Sequence, residues 1–113
     1  SLLALAPRDR RWWVPDHFHI EAVGAVRRMR LKGLIDEGRA TRAVDSLLTL
    51  PVTVSRSRPL IGEAWTYRQN LIVQDAVYVV LATHLDAPLL TGDRRIAGAP
   101  NLPIEVLHIS VAG

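Results

Sequence analysis

The feature that most constrains the fold is an apolar segment that runs from Ala76 to Ala82 without a charged residue. Asp75 precedes this segment and His84 follows it, so it is too short to cross a membrane. Its near-continuous hydrophobicity predicts a helix, opened by Asp75, that is buried on most of its sides. A chain of 113 residues has room for one compact domain, and we expect residues 1–113 to form it around this helix.

The other predicted elements alternate between helix and strand. Hydrophobic periodicity predicts a helix from Phe18 to near Gly33 with Asp16 as its cap, a second after Asp36, and a third after Pro59. Strands are predicted at Trp12–Val14, Val52–Val54, Pro88–Thr91 and Ile104–Ile109. The opening segment, Leu2 to Ala6, is predicted to be the end of a helix. This order predicts an α/β fold with a mainly parallel sheet.

Composition excludes several classes of protein. The chain has no cysteine, which rules out disulfide scaffolds and thiolate zinc sites and suits a reducing compartment. No stretch of about eighteen apolar residues exists, so no membrane partner is expected and the cytoplasm is the default location. A formal charge of +3 permits a polyanionic partner without requiring one.

Three acidic residues follow predicted strands at the starts of helices or turns. They are Glu21, Asp75 and Asp93. In a parallel sheet these places share the edge where ligands bind, so the three carboxylates are expected to converge. Clustered carboxylates need a cation such as Mg²⁺ or Mn²⁺, which suits phosphodiester hydrolysis. Each residue alone also fits a structural role, as a solvated helix residue, a helix cap or a turn residue.

Longer patterns around these acids resemble a known family. They are Val14-Pro15-Asp16-His17-Phe18-x-x-Glu21, Asn70-Leu71-x-x-x-Asp75-Ala76-x-Tyr78-Val79-x-Leu81-Ala82 and Ala87-Pro88-Leu89-Leu90-Thr91-x-Asp93-x-x-x-Ala97. Together they are similar to the PIN-domain ribonucleases of the VapC toxin type, and the resemblance covers essentially all 113 residues. It implies a PIN-like three-layer α/β domain with a mainly parallel sheet.

The resemblance also implies an activity and a set of roles. The activity is metal-dependent endoribonuclease cleavage, with Mg²⁺ or Mn²⁺ as cofactor. Glu21, Asp75 and Asp93 correspond to metal-binding and catalytic acids, and Thr91 corresponds to a supporting hydroxyl. The implied partners are an RNA substrate, a cognate antitoxin protein and a second copy of the chain in a homodimer.

One departure from the family concerns its first strand, which carries an aspartate and lies in the middle of the sheet. No segment of this chain matches it, and Asp9 and Asp16 are poor substitutes. We therefore expect a domain truncated at its N-terminus, with unpaired strand edges and a missing segment that is either supplied as a separate fragment or has been cut away. The alternative function is a non-catalytic PIN-like module that binds RNA or protein through a degenerate site.

Basic and aromatic residues offer weaker indications of substrate binding. Arg94 and Arg95 follow Asp93 and are candidates for holding a substrate phosphate, although a solvated turn is slightly favoured for them. Trp12 and Trp13 are candidates for stacking on RNA bases, but adjacent strand residues point to opposite faces, so at least one is expected in the core.

The remaining candidates are expected to be structural. His17 and His19 lack a third nitrogen ligand at zinc-site spacing, which favours surface or capping roles. His84 and His108 are isolated and are given no catalytic role. Apolar stripes around Leu47, Leu48, Ile61 and Trp65 suit a dimer interface or the core, and the core is favoured.

Overall fold

A computed structural model describes residues 3–5, 11–91 and 102–108. Their elements are β1 (Leu3–Leu5), β2 (Trp12–Pro15), α1 (Phe18–Leu31), α2 (Glu37–Leu48), β3 (Val52–Ser55), a 3₁₀ helix (Arg58–Leu60), α3 (Ile61–Trp65), α4 (Val73–Leu85), β4 (Leu89–Thr91) and β5 (Val106–His108). The chain divides into two units. The first comprises Ser1–Asp16 and Val52–Gly113, and the second comprises His17–Pro51.

The described strands of the first unit pair in two groups. β2 runs parallel to β3, with Trp12 opposite Val52 and Pro15 opposite Ser55. β4 runs parallel to β5 on one side and antiparallel to β1 on the other, giving the order β1-β4-β5. These pairings, with helices between them, confirm the predicted α/β class with mainly parallel strands for the described residues.

The prediction that the opening segment ends a helix is wrong. Leu3–Leu5 is a strand whose three residues lie opposite Leu89–Thr91. A segment this short carries no periodicity that separates helix from strand, and its backbone groups are satisfied by the edge of β4. The expectation of an unpaired edge is therefore also wrong at β4, because β1 occupies that edge.

Helix α4 is the core of the first unit. Every residue from Asp75 to Ala82 is buried, as the apolar run predicts, and the helix packs against β1, β2, β4 and α3. It ends at Asp86, whose φ of 48° lies in the left-handed region that aspartate tolerates. Neither α4 nor any other helix in the described ranges has the length and apolarity needed to cross a membrane.

The second unit contains two helices, and local chemistry correctly predicted where α1 ends and where α2 begins. Gly33 follows α1 with a φ of +75°, and its N–H donates to the Arg30 carbonyl, as in the turn that commonly ends a helix. Asp36 caps α2, because its Oδ1 accepts a hydrogen bond from the Arg39 backbone N–H at 2.8 Å. α1 packs directly on α2.

The favoured assignment of the apolar stripes to the core is wrong for three of its four residues. Leu48, Ile61 and Trp65 are 63%, 47% and 57% exposed, whereas Leu47 is half-buried. In α3 the buried positions belong instead to Ala64, with Leu60 just before the helix. A helix of five residues buries only one narrow face, and Ala64 rather than Trp65 lies on it.

We predict that Leu89→Ala lowers the free energy of unfolding of the full-length protein by about 2–5 kcal/mol, because Leu89 is fully buried in the middle strand of its sheet. Urea denaturation followed by circular dichroism measures this change. The matched control is Leu34→Ala, a 65% exposed leucine whose loss is expected to cost less than about 0.5 kcal/mol. Equal losses in the two variants would contradict the assignment of the core.

Candidate active site

Asp75 occupies the first turn of the buried helix. It is the third residue of α4, after Val73 and Gln74, and the N-cap position belongs to Ile72 rather than to Asp75. With 5% exposure, Asp75 is the one buried charged or polar residue among those the structure describes. Burying a carboxylate is unfavourable unless hydrogen-bond donors or a cation compensate its charge. Buried carboxylates are concentrated at functional sites.

The strand that precedes the third predicted acid is present. β4 packs against α4 and ends at Thr91, as predicted. Asp93, Arg94 and Arg95 follow after Gly92 and lie outside the described residues. Their roles, and that of the Thr91 hydroxyl, therefore stay predictions.

Glu21 lies in the second unit, in the first turn of α1 as predicted. Its side chain is 29% exposed, which is less than expected of a fully solvated helix residue. The Oε1 atom is enclosed and lies 3.1 Å from His17 Nε2, yet no described group gives it a hydrogen bond. A carboxylate oxygen with this surrounding retains lone pairs that a cation can bind.

Asp16 is not the cap of α1, which corrects the sequence prediction. The N-cap position belongs to His17, and the Asp16 carboxylate accepts hydrogen bonds from Ser57 Oγ at 2.6 Å and from the Ser57 backbone N–H at 3.2 Å. The carboxylate therefore links the end of β2 to the segment after β3. This structural role agrees with the view that Asp16 is a poor substitute for the family's first acid.

The described histidines have structural surroundings. His17 occupies the N-cap position of α1, as one of its predicted roles requires, but its side chain forms no capping hydrogen bond. Instead it lies beside Glu21, four residues later on α1. The His19 ring packs edge-on against Phe18. His84 is not isolated as expected, since its Nε2 lies 2.9 Å from Glu63 Oε1. Within residues 3–5, 11–91 and 102–108, no three histidine, aspartate or glutamate residues are grouped to hold a metal ion.

The most exposed tryptophan among the described residues is not one of the two that were candidates for stacking on RNA. Trp12 and Trp13 are both half-buried in β2, whereas Trp65 is exposed at the end of α3. The Arg68 guanidinium carbon lies 4.8 Å from the centroid of the Trp65 ring. The spacing of a tryptophan and an arginine three residues later, near the end of a short predicted helix, is the feature of the sequence that indicates this pair.

Comparison with known proteins decides the family. No protein-family model matches the chain. Ribonuclease VapC1 of Mycobacterium tuberculosis is 43% identical over 96 residues, which cover 81% of this chain and 70% of that protein. The chain belongs to the VapC ribonuclease family. The resemblance and the ribonuclease function that it implies are therefore confirmed.

Two further VapC ribonucleases of the same organism are more distant. Ribonuclease VapC12 is 36% identical over 83 residues, or 74% of this chain and 64% of that protein. Ribonuclease VapC3 is 36% identical over 85 residues, or 75% of this chain and 62% of that protein. The chain thus spans somewhat less than two thirds of the length of each of these two relatives.

We predict that Asp16→Ala destabilises the full-length protein by about 1 kcal/mol, because it removes both hydrogen bonds from Ser57, and that RNA cleavage persists. Chemical denaturation measures the first effect and a cleavage assay measures the second. Asp16→Asn, which keeps one acceptor oxygen, is the matched control and should lose less stability. Loss of cleavage in both variants at unchanged stability would instead make Asp16 part of the active site.

Proposed function

We propose that this VapC family member is a metal-dependent endoribonuclease, the toxin of a toxin–antitoxin pair, that hydrolyses RNA phosphodiester bonds in the cytoplasm. The observation that carries the proposal is the Asp75 carboxylate, 5% exposed in the first turn of the core helix. The names of the relatives favour an enzyme over the alternative, a non-catalytic binding module. A buried acid at a helix start, in a ribonuclease family, is the arrangement expected of a metal ligand.

The residues of the chain fit a hard divalent cation. Glu21, Asp75 and Asp93 offer only oxygen donors, which Mg²⁺ and Mn²⁺ prefer, and the chain has no cysteine to favour a softer metal. The enclosed Glu21 Oε1, to which no described group donates a hydrogen bond, is consistent with a ligand role. When bound, such a cation activates water and neutralises charge on the phosphate that is cleaved.

The protein contributes position and electrostatics. Because Asp75 sits on a helix that is buried from its first turn, its backbone is held rigidly and water has little access to it. The His17 imidazole beside Glu21 restricts the orientation of that carboxylate. We assign Thr91 a supporting hydroxyl role, and we assign Arg94 and Arg95 to the substrate phosphates, where bidentate guanidinium contacts are strongest.

The remaining parts of the proposal concern architecture and partners. Residues 1–113 would form one PIN-like domain of three layers, and the protein would bind a cognate antitoxin and form a homodimer. Family membership supports these assignments. Exposed leucines of the second unit, Leu31 and Leu48, provide apolar surface of the kind that protein partners cover.

We predict that Asp75→Asn reduces the rate of RNA cleavage by the full-length protein by about 100-fold or more, because the amide cannot supply the charge that holds the cation. Cleavage of a single-stranded RNA is followed on denaturing gels with Mg²⁺ and, separately, with chelator. Asp45→Asn, which makes the same change at an exposed position of α2, should cleave normally. Equal activity of the three proteins, unaffected by chelator, would refute the assignment.

A second prediction concerns binding alone. Mg²⁺ or Mn²⁺ at 100 times its dissociation constant should stabilise the full-length protein by about 2.7 kcal/mol, because the ion binds only the folded state. Thermal denaturation with and without the ion measures this effect. The ion-induced stabilisation should be absent in Asp75→Asn and present in Asp45→Asn. The same increase in all three proteins would place the cation elsewhere.

A further inference from the structure

Trp65 presents an aromatic surface to solvent. Its side chain is 57% exposed, whereas Trp12 and Trp13 are half-buried. Arg68 holds the ring from one side, since its guanidinium carbon lies 4.8 Å from the ring centroid and its Nη1 donates to the Trp65 carbonyl at 3.0 Å. The pair is thus a stack of an indole and a guanidinium on the surface of the protein.

An open cleft of about 660 Å³ adjoins this stack. It is lined by Trp65 and by residues 68–73. Gln69 and Asn70 contribute exposed amide side chains, each with donors and an acceptor, while Ile72 is 61% exposed and adds apolar surface. The cleft therefore combines a flat ring, a cation and amides, which together match a nucleotide: a planar base, a phosphate and polar base edges.

We propose that this cleft binds one nucleotide of single-stranded RNA, with its base stacked on Trp65, its phosphate near Arg68 and its base edge hydrogen-bonded by Gln69 or Asn70. The inference rests on the proposed ribonuclease function and adds a substrate-binding subsite to it. Because any base can stack on an aromatic ring, a preference for one base would come from the amides of Gln69 and Asn70.

The position of the cleft along the chain connects it to the candidate active site. Its lining ends at Val73, the first residue of α4, and Asp75 lies two residues further along the same helix. A nucleotide in the cleft would therefore lie at the N-terminal end of the helix that carries the acid proposed to bind metal, although side chains two residues apart on a helix point to different sides. Such a subsite would hold the RNA in position while a phosphodiester elsewhere along the strand is cleaved.

Fluorescence of Trp65 tests the subsite directly. In full-length protein carrying Trp12→Phe and Trp13→Phe, the emission of Trp65 is recorded during titration with a 2′-O-methyl RNA oligonucleotide in EDTA. We expect saturable quenching that weakens as salt is added, because the phosphate contact releases counterions.

Trp65→Ala should weaken oligonucleotide binding, measured by fluorescence anisotropy of a labelled RNA, by about 5- to 150-fold. Ile61→Ala, an exposed apolar change on the same helix, should leave binding unchanged.

The outcomes separate this inference from the proposed function. Quenching without any RNA cleavage by the wild-type protein would support the subsite and refute the nuclease. Cleavage that depends on Asp75, together with unchanged RNA binding in Trp65→Ala and no quenching, would refute the subsite alone. A Trp65→Ala protein that changes only its oligomeric state would likewise overturn the subsite, since Trp65 would then be a contact between copies. Circular dichroism confirms that each variant is folded.

Discussion

Burial of α4 is the interaction on which the rest of the structure depends. β1, β2, β4 and α3 all pack on this helix, and no residue from Asp75 to Ala82 is exposed. Full burial of each large apolar side chain contributes about 1.5–3 kcal/mol, so the run of valines and leucine supplies much of the free energy that holds the first unit together. The same burial holds the Asp75 carboxylate at the start of the helix. Buried carboxylates are uncommon in protein cores and concentrate at functional sites.

Elements governed by local chemistry were predictable from the sequence. The apolar run predicted α4 because only a buried helix accommodates it. Gly33 indicated the end of α1 because few residue types adopt a positive φ, and Asp36 indicated the start of α2 because few residue types serve as an N-cap. The positions of Glu21 and Asp75 in first turns followed from the order of strands and helices. Family membership was predictable for a similar reason, since the spaced motifs span most of the chain.

Features governed by distant partners were not predictable. Leu3–Leu5 is a strand because it pairs with the edge of β4. Asp16 does not cap α1, because its carboxylate accepts a hydrogen bond from Ser57, 41 residues away in the chain. Trp65 was assigned to the core because an apolar stripe shows which residues share a face but not whether a neighbour covers that face. The convergence of Glu21, Asp75 and Asp93, and the single domain over residues 1–113, stay predictions.

The most direct test of the central claim is the position of Mn²⁺ in a crystal of the full-length protein, located by its anomalous scattering. The proposal predicts a peak in direct contact with the carboxylates of Glu21, Asp75 and Asp93, with all other ligands being oxygen atoms. A peak bound elsewhere, or the three carboxylates dispersed with no ion between them, would contradict the assignment of the active site.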